Sequence, residues 1–288
     1  AVFASNNVVR AIVPSLQVEG IDFNVTDLPQ QSRLYASDGT TQIGTFYAQN
    51  RIVVPLKKIS KPMRQAVVSR EDRRFFRHAG VDIQGVMRAF VATYVKKGAT
   101  QGGSSLTQQY VKNVLSTQAR EDDDPIAEYH ATEDTVARKL REMLISVQIE
   151  KKYSKADIME FYCNTNFYGH HCYGVQAASR YYFGKNAEDL QPYEAAVLVG
   201  ISNSPSAYDP VKHPEESLKK RNDVLLSMLE VGDLTQEQYD SYTAQPLNIV
   251  QEESEGTDEN YQSSYAIHCA ALYLMSLDGF EFRYTFSD

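Results

Sequence analysis

The sequence predicts a mainly α protein with a short β lead-in, and three observations carry that reading. From about residue 61 to 245 the apolar residues recur at helical spacing. Residues 30–55 alternate polar and apolar residues around turn signals. A hydrophobic content of 42% with 11% aromatic residues over 288 residues supplies a packed core and excludes a disordered chain. That length allows one large domain or two ordinary ones at roughly 100–200 residues each.

Residues 1–29 read as an N-terminal lead-in. Ser37-Asp38-Gly39 then turns a hairpin whose apolar positions run through Ile43, Phe46 and Ile52 to Val54. After Pro55 the helical spacing begins: Val86, Phe90 and Tyr94, then Leu140, Leu144 and Val147, then Leu218, Leu225 and Leu229 mark successive faces. Gly98, Gly102-Gly103, Gly184, Pro192, Pro205, Pro210 and Gly232 punctuate them, so the main domain, residues 30–247, reads as helices of ordinary length joined by loops. Within it, residues 118–135 are acid-rich and read as an exposed inserted loop. Residues 248–263 read as a linker. Beyond it, Tyr265 to Leu277 returns to helical spacing, and Phe280, Phe282, Tyr284 and Phe286 alternate like a strand without its sheet. Residues 248–288 therefore read as a linker and the start of a further, truncated domain.

No run approaches the roughly 18 apolar residues of a membrane helix, and the chain opens with neither Met nor a signal-like segment, so any anchor is expected outside it. The formal net charge is −8. Residues 121–134 and 252–259 together hold twelve acids and no Lys or Arg, which leaves the remainder at +4. A mildly basic body has room for an anionic ligand. Nucleic acid is not expected, because no basic arm and no basic stripe interleaved with aromatics occurs. Three cysteines, Cys163, Cys172 and Cys269, are too few for a disulfide framework, and reduced thiols are the default.

Five segments carry chemistry. In EDRRFFRHAG, residues 71–80, an acid stands among cations and aromatic walls, which makes Glu71 the leading catalytic candidate; an ordinary helix end with ion pairs is the bland alternative. In GGSSLTQQYVKN, residues 102–113, glycines permit close backbone approach and a block of hydroxyls and amides follows, suited to sugar or phosphate oxygens. Gln108 and Lys112 stand four apart and can face one ligand, whereas Ser104 reads equally well as a helix cap. In ARKLREMLISVQIEKK, residues 137–152, Arg138, Lys139 and Glu142 share a helix face. That face is either a solvated salt-bridge ladder or a cationic grip on phosphate around a carboxylate that orients the cations or binds a divalent metal. KADIMEFYCNTNFYG, residues 155–169, reads mostly as scaffold: Ile158, Met159 and Tyr162 pack, and Lys155, Glu160 and Asn164 brace. KKRNDVLLSML, residues 219–229, reads as an amphipathic helix with a basic start.

In this order, EDRRFFRHAG, GGSSLTQQ, ARKLRE, KADIMEFYCN and RNDVLL resemble the five motifs of the peptidoglycan glycosyltransferases, the family 51 glycosyltransferases of class A penicillin-binding proteins. The resemblance covers about residues 30–245. It implies a lysozyme-like helical fold that polymerises lipid II into glycan strands at the extracytoplasmic face of the bacterial cytoplasmic membrane. It also implies an anchoring segment and a transpeptidase domain in the full-length chain. Position by position it makes Glu71 the general base, with Asp72, Phe75 and His78 completing the first motif. Gly103, Ser104, Thr107, Gln108, Gln109 and Lys112 match the second. Arg138, Lys139 and Glu142 match the third, where Glu142 is the second essential carboxylate. Lys155, Glu160, Tyr162 and Asn164 match the fourth, and Arg221, Val224 and Leu225 the fifth. Arg120 resembles a phosphate-binding Arg of the family. The departures are Ser105 for the usual Thr, Cys163 for Leu, Lys220 for Arg, and the acidic insertion directly after Arg120.

The implied substrate explains the residue types. A sugar hydroxyl is a poor nucleophile at neutral pH and needs a base within hydrogen-bond reach. A departing lipid diphosphate needs its charge neutralised, from Lys112, Arg138, Lys139 or a Mg or Mn ion near Glu142; no organic cofactor is expected. Two alternatives stay open: a glycoside hydrolase using Glu71 and Glu142 as its acid pair, and a non-catalytic glycan-binding module. Val86, Met87, Phe90, Val91, Tyr94 and Val95 beside Lys96 and Lys97 form a candidate membrane-facing surface, with ordinary core packing the alternative for half of them. Two signals are discounted. Cys163, His170, His171 and Cys172 fit no common zinc spacing, and Ser217-Leu218-Lys219-Lys220, a Ser-x-x-Lys match, has no Lys-Thr-Gly after it.

Overall fold

A computed structural model describes residues 32–35, 37–40, 42–46, 49–85, 103–121, 124–133 and 135–250. Strand β1 (Ser32–Tyr35) pairs antiparallel with β2 (Gln42–Phe46), Ser32 opposite Phe46, around a turn in which Gly39 has a φ of +68°. The expected run from Ile52 to Val54 does not continue this hairpin. Instead β3 (Asn50–Arg51) pairs in parallel with a distant two-residue strand, β4 (Cys172–Tyr173).

Beyond the lead-in the described body is helical. Helix α1 (Lys61–Glu71) starts where Ser60 accepts the Met63 N–H at 3.1 Å, a cap worth about 1 kcal/mol. It buries Met63, Ala66 and Val67 and ends at Asp72, whose φ of −155° leaves the helix. Glu71 is therefore the last helical residue, at the rim and not within the core. Helix α2 (Leu106–Glu121) begins with a reciprocal cap: Ser105 Oγ accepts the Gln108 N–H at 3.2 Å, and the Ser105 N–H donates to Gln108 Oε1 at 2.8 Å. Leu106, Tyr110, Val111 and Val114 fill the core from this helix.

The acid-rich stretch is not a loop. It folds as α3 (Pro125–Thr132), because Asp124 accepts the N–H groups of Ile126 and Ala127 at 3.0 and 2.9 Å and Pro125 is already set for the first turn. Helix α4 (Val136–Lys152) follows, capped by Thr135. Its buried face is also not the expected one. Arg138, Glu142, Ile145, Ser146 and Ile149 point inward, while Leu144 is 44% exposed. Gly80, at a φ of +90°, packs against this helix so closely that a Cβ would stand 2.7 Å from the Ser146 carbonyl.

Helix α5 (Lys155–Thr165) carries the Ser154–Asp157 capping box and buries Ile158, Met159 and Tyr162 as expected. Its polar residues brace as expected too. Glu160 Oε2 accepts the Leu56 N–H at 2.7 Å, and the Asn164 side chain exchanges two hydrogen bonds with the Val54 backbone, at 3.0 and 2.9 Å. These contacts hold the extended segment that feeds α1. Helix α6 (Val175–Phe183) leads to α7 (Pro192–Asn203), which buries Ala195 through Ile201 and is apolar nearly all round, as a central helix should be. Helix α8 (Pro214–Glu230) packs on α7 and α1, and α9 (Gln236–Thr243) closes the body.

Arg221 of α8 is fully buried and donates to the carbonyls of Thr243, Gln245 and Pro246, where α9 ends; burial holds its pKa below the ordinary arginine value. The chain stays docked through Val250, whose N–H reaches the Tyr182 carbonyl at 2.9 Å. Cys163 and Cys172 are both buried free thiols, and burial pushes each up to about 12. The expected membrane face from residue 86 onward, the lead-in 1–29 and the tail from residue 251 lie outside the described residues. Among the described residues no helix is long and apolar enough to cross a membrane.

Candidate active site

The first two motifs meet because α1 ends where α2 begins. The Asp72 carboxylate accepts the Leu106 N–H at 3.0 Å through Oδ2, and the same oxygen meets His78 Nε2 at 2.8 Å. Glu71, one residue earlier, turns the other way, into a cleft of about 800 Å³. Its two oxygens are each held by an amide: Gln109 Nε2 donates to Oε2 at 2.9 Å, and Asn203 Nδ2 donates to Oε1 at 2.7 Å. The two donors fix the direction of the carboxylate and leave each oxygen with acceptor capacity, as a base within hydrogen-bond reach of a ligand requires.

The third motif forms another wall of the same cleft. Glu142, 1% exposed, places one carboxylate oxygen on Arg138 Nη1 and the other on Lys139 Nζ at 2.8 Å. The pattern read as a possible solvated ladder is therefore a largely buried triad at the cleft wall. Of the residues singled out in the sequence, Glu71, Asp72, Gly103, Ser104, Gln108, Gln109, Lys112, Arg138, Lys139 and Glu142 line that cleft. Lys112 is exposed and has no ion-pair partner among the described residues, so its charge is available to a ligand.

Five expected ligand contacts are not at the wall. Phe75 is fully buried, and the Lys155 ammonium stands 4.4 Å above its ring while pairing with Glu150 at 2.6 Å. Thr107 donates to the same Glu150 at 2.5 Å, and His78 is turned toward Asp72 and Glu150. Thr107, His78 and Lys155 thus converge on Glu150 beside the buried Phe75 ring, which ties α2, α4 and α5 to the segment after α1. Arg120 stands at the far end of α2, where Glu128 of α3 holds its guanidinium and raises its pKa.

Asn203, Asn166 and Arg70, which the motifs do not single out, also line the cleft, as does Lys220 of the fifth segment. Asn203 is 132 residues from its partner Glu71, and its only local signal is a polar residue ending an apolar helix just before Ser204-Pro205. The expected Mg or Mn ion would need oxygen donors near Glu142. Both Glu142 oxygens face cations, and no group of three His, Cys, Asp or Glu among the described residues could hold a metal. These residues do not fit a divalent cation as they stand, because a hard ion needs several unneutralised oxygens.

A family model described as transglycosylase matches residues 39–229. The chain is similar to penicillin-binding protein 1A of Aquifex aeolicus, 38% identical over 224 residues that make up 78% of this chain and 29% of that one. It is similar to penicillin-binding protein 1F of Bacillus subtilis, 36% identical over 209 residues, 73% of this chain and 27% of that one. A crystal structure of penicillin-binding protein 1A from Haemophilus influenzae aligns over 86% of this chain and 24% of that one, with 20% identity and a TM-score of 0.45. The chain thus spans less than a third of the length of the curated relatives named here.

Proposed function

Since the chain belongs to the transglycosylase family, the glycosyltransferase domain of class A penicillin-binding proteins, we propose that it polymerises lipid II into peptidoglycan glycan strands. In this reading Glu71 removes the proton from the 4-hydroxyl of the acceptor sugar as that oxygen attacks the donor anomeric carbon. The bond to the undecaprenyl diphosphate breaks on the opposite face, so the anomeric centre inverts. Glu71 is suited to the task because its carboxylate is half-buried, oriented by two amides and open to the cleft.

The leaving diphosphate is already a stable anion, and its developing charge is met by the positive charges of Lys112, Lys139 and Arg138, which line the same cleft. Glu142 orients the last two of these cations. Ser104, Gln108 and the bare backbone at Gly103 offer hydrogen bonds to sugar and phosphate oxygens from the start of α2. No step is routed through a metal.

The observation that carries this reading is the placement of Glu71, Lys112 and the Arg138–Glu142–Lys139 triad on one cleft. It also weighs against the hydrolase alternative. A hydrolase's second carboxylate must act on substrate or water, whereas both oxygens of Glu142 are committed to cations. The relatives' shared name, penicillin-binding protein, supports a transpeptidase partner domain beyond residue 247 and, with lipid II as substrate, a site at the outer face of a bacterial membrane. The test is Glu71→Gln, followed by lipid II polymerisation: a fall of about 10²- to 10⁴-fold is expected, and unchanged turnover in a folded variant overturns the assignment.

A further inference from the structure

We propose that Asn203 is the positioning residue of the base, and that Lys220 fixes which way round its amide stands; the proposal rests on the reading of Glu71 as that base. Asn203 closes α7, whose residues Glu194 through Ile201 are all buried, so its Cα is delivered to the cleft by a well-packed element. Its Nδ2 donates to Glu71 Oε1 at 2.7 Å, and its Oδ1 accepts from Lys220 Nζ at 3.0 Å. An ammonium only donates and an ionised carboxylate only accepts, so a group bridging them must present one acceptor and one donor in that order. Turned over, the amide would set N–H against ammonium and oxygen against carboxylate.

The packing around Lys220 serves this orientation. At Gly200 an added Cβ would come within 3.0 Å of Lys220 Cγ, so bare backbone lets the lysine stem lie along α7 and reach Asn203. The ammonium also stands 4.9 Å over the Tyr208 ring. On the other side, Gln109 holds Glu71 Oε2 and is itself held by the Tyr162 hydroxyl, which donates to Gln109 Oε1 at 3.1 Å. Each carboxylate oxygen is thus fixed by an amide whose own direction is dictated by a further group, and each keeps acceptor capacity for an incoming hydroxyl.

The charged and titratable groups around Glu71 are few. Arg70 precedes it on α1, Lys220 approaches from α8, Lys112 lies across the cleft on α2, and Tyr162 and Tyr168 approach from α5 and the turn after it. Burial pushes both phenols well above the usual tyrosine value, so they remain neutral donors. Burial and then Arg70 lower the Lys220 ammonium from its ordinary value. Among the described residues no second carboxylate is hydrogen-bonded to this set, and Asp223 acts on Lys220 only through its charge. Introducing one at position 203 makes it share a proton with Glu71, which raises the pH at which the base is ready.

The experiment is the pH dependence of kcat/KM for lipid II polymerisation by the full chain carrying Asn203→Asp or Asn203→Ala, with thermal unfolding to verify the fold. Asn203→Asp is expected to move the acid limb upward by about one pH unit or more. It is also expected to lower kcat about tenfold or more, with KM for lipid II changed less than about threefold. Asn203→Ala shifts the limb the same way by less, and serves if the Asp variant does not fold. An acid limb that coincides with the parent's, or a slower rate without any movement of that limb, overturns the proposal. Glu71→Gln run in parallel separates the two claims. Its retained turnover rejects the base itself, whereas its inactivity beside unshifted Asn203 variants rejects only the positioning role.

Discussion

Asp72 caps the helix that presents Gln109: its Oδ2 accepts the backbone N–H of Leu106 at 3.0 Å, across 34 residues of sequence. One residue therefore couples the end of α1 to the start of α2 while its neighbour Glu71 faces the cleft. The carboxylate that reads as a substrate-side member of the first motif acts, by its contacts, on the geometry of the second.

Replacing Asp72 with Ala leaves the Leu106 N–H and His78 without that partner in a site only 6% exposed. A destabilisation of about 1–3 kcal/mol is expected, read as a lower urea midpoint at unchanged slope. Polymerisation falls as well, since Gln109 rides on the same helix. Asp72→Asn, which keeps an acceptor, loses less of both.

Glu142→Ala removes the shared partner of Arg138 and Lys139 and leaves the largely buried Arg138 guanidinium without its carboxylate. Breaking a buried pair from one side costs about 3–5 kcal/mol, though the 37% exposure of Lys139 keeps the value toward the lower end. Equilibrium unfolding in urea measures it. A change below about 0.5 kcal/mol would mean that the triad is solvated after all.

Arg120 and Lys112 lie on the same helix but face different tasks. Because Glu128 holds Arg120 and the residue is absent from the cleft wall, Arg120→Ala is expected to change kcat/KM for lipid II by less than about threefold, and Lys112→Ala to lower it about tenfold or more. Equal losses for the two substitutions would return Arg120 to the phosphate site.

The two buried thiols give a pH signature. Their folded pKa of about 12 lies above the ordinary 9.0, so the folded state holds protons that the unfolded state releases. Their contribution to stability is complete below pH 9 and is lost as pH rises toward 12. In a Cys269→Ser background, a thiol reagent at pH 8 should leave the native protein unmodified and label two groups after denaturation. Prompt native labelling at Cys163 or Cys172 would contradict the burial.

The periodic signal located most helices because it reports an apolar face, and it failed where charge is buried in place of hydrocarbon. On α4 the Leu140, Leu144 and Val147 stripe is the more accessible side, whereas Arg138 and Glu142 turn inward with Ile145 and Ile149. No hydropathy pattern anticipates that, since the two charges are accommodated by each other and not by the core. The same limit hid α3, where acids and a proline looked like a loop although Asp124-Pro125 also spells a helix start. Glu71, Gln109 and Lys112 were legible because they belong to contiguous motifs. Lys220 also lies in such a motif, but Asn203 does not, and the relation of both to Glu71 exists only once α7 and α8 have packed against α1.

Arg221 gathers three carbonyls at the close of α9, and the Val250 amide is then fastened to Tyr182. The segment up to Val250 is thus tethered to the helical body at two successive points. A pull applied at Val250 falls first on the Tyr182 carbonyl of α6 and then, through Arg221, on α8. Because α8 also carries Lys220, mechanical load there has a short route to Asn203 and Glu71.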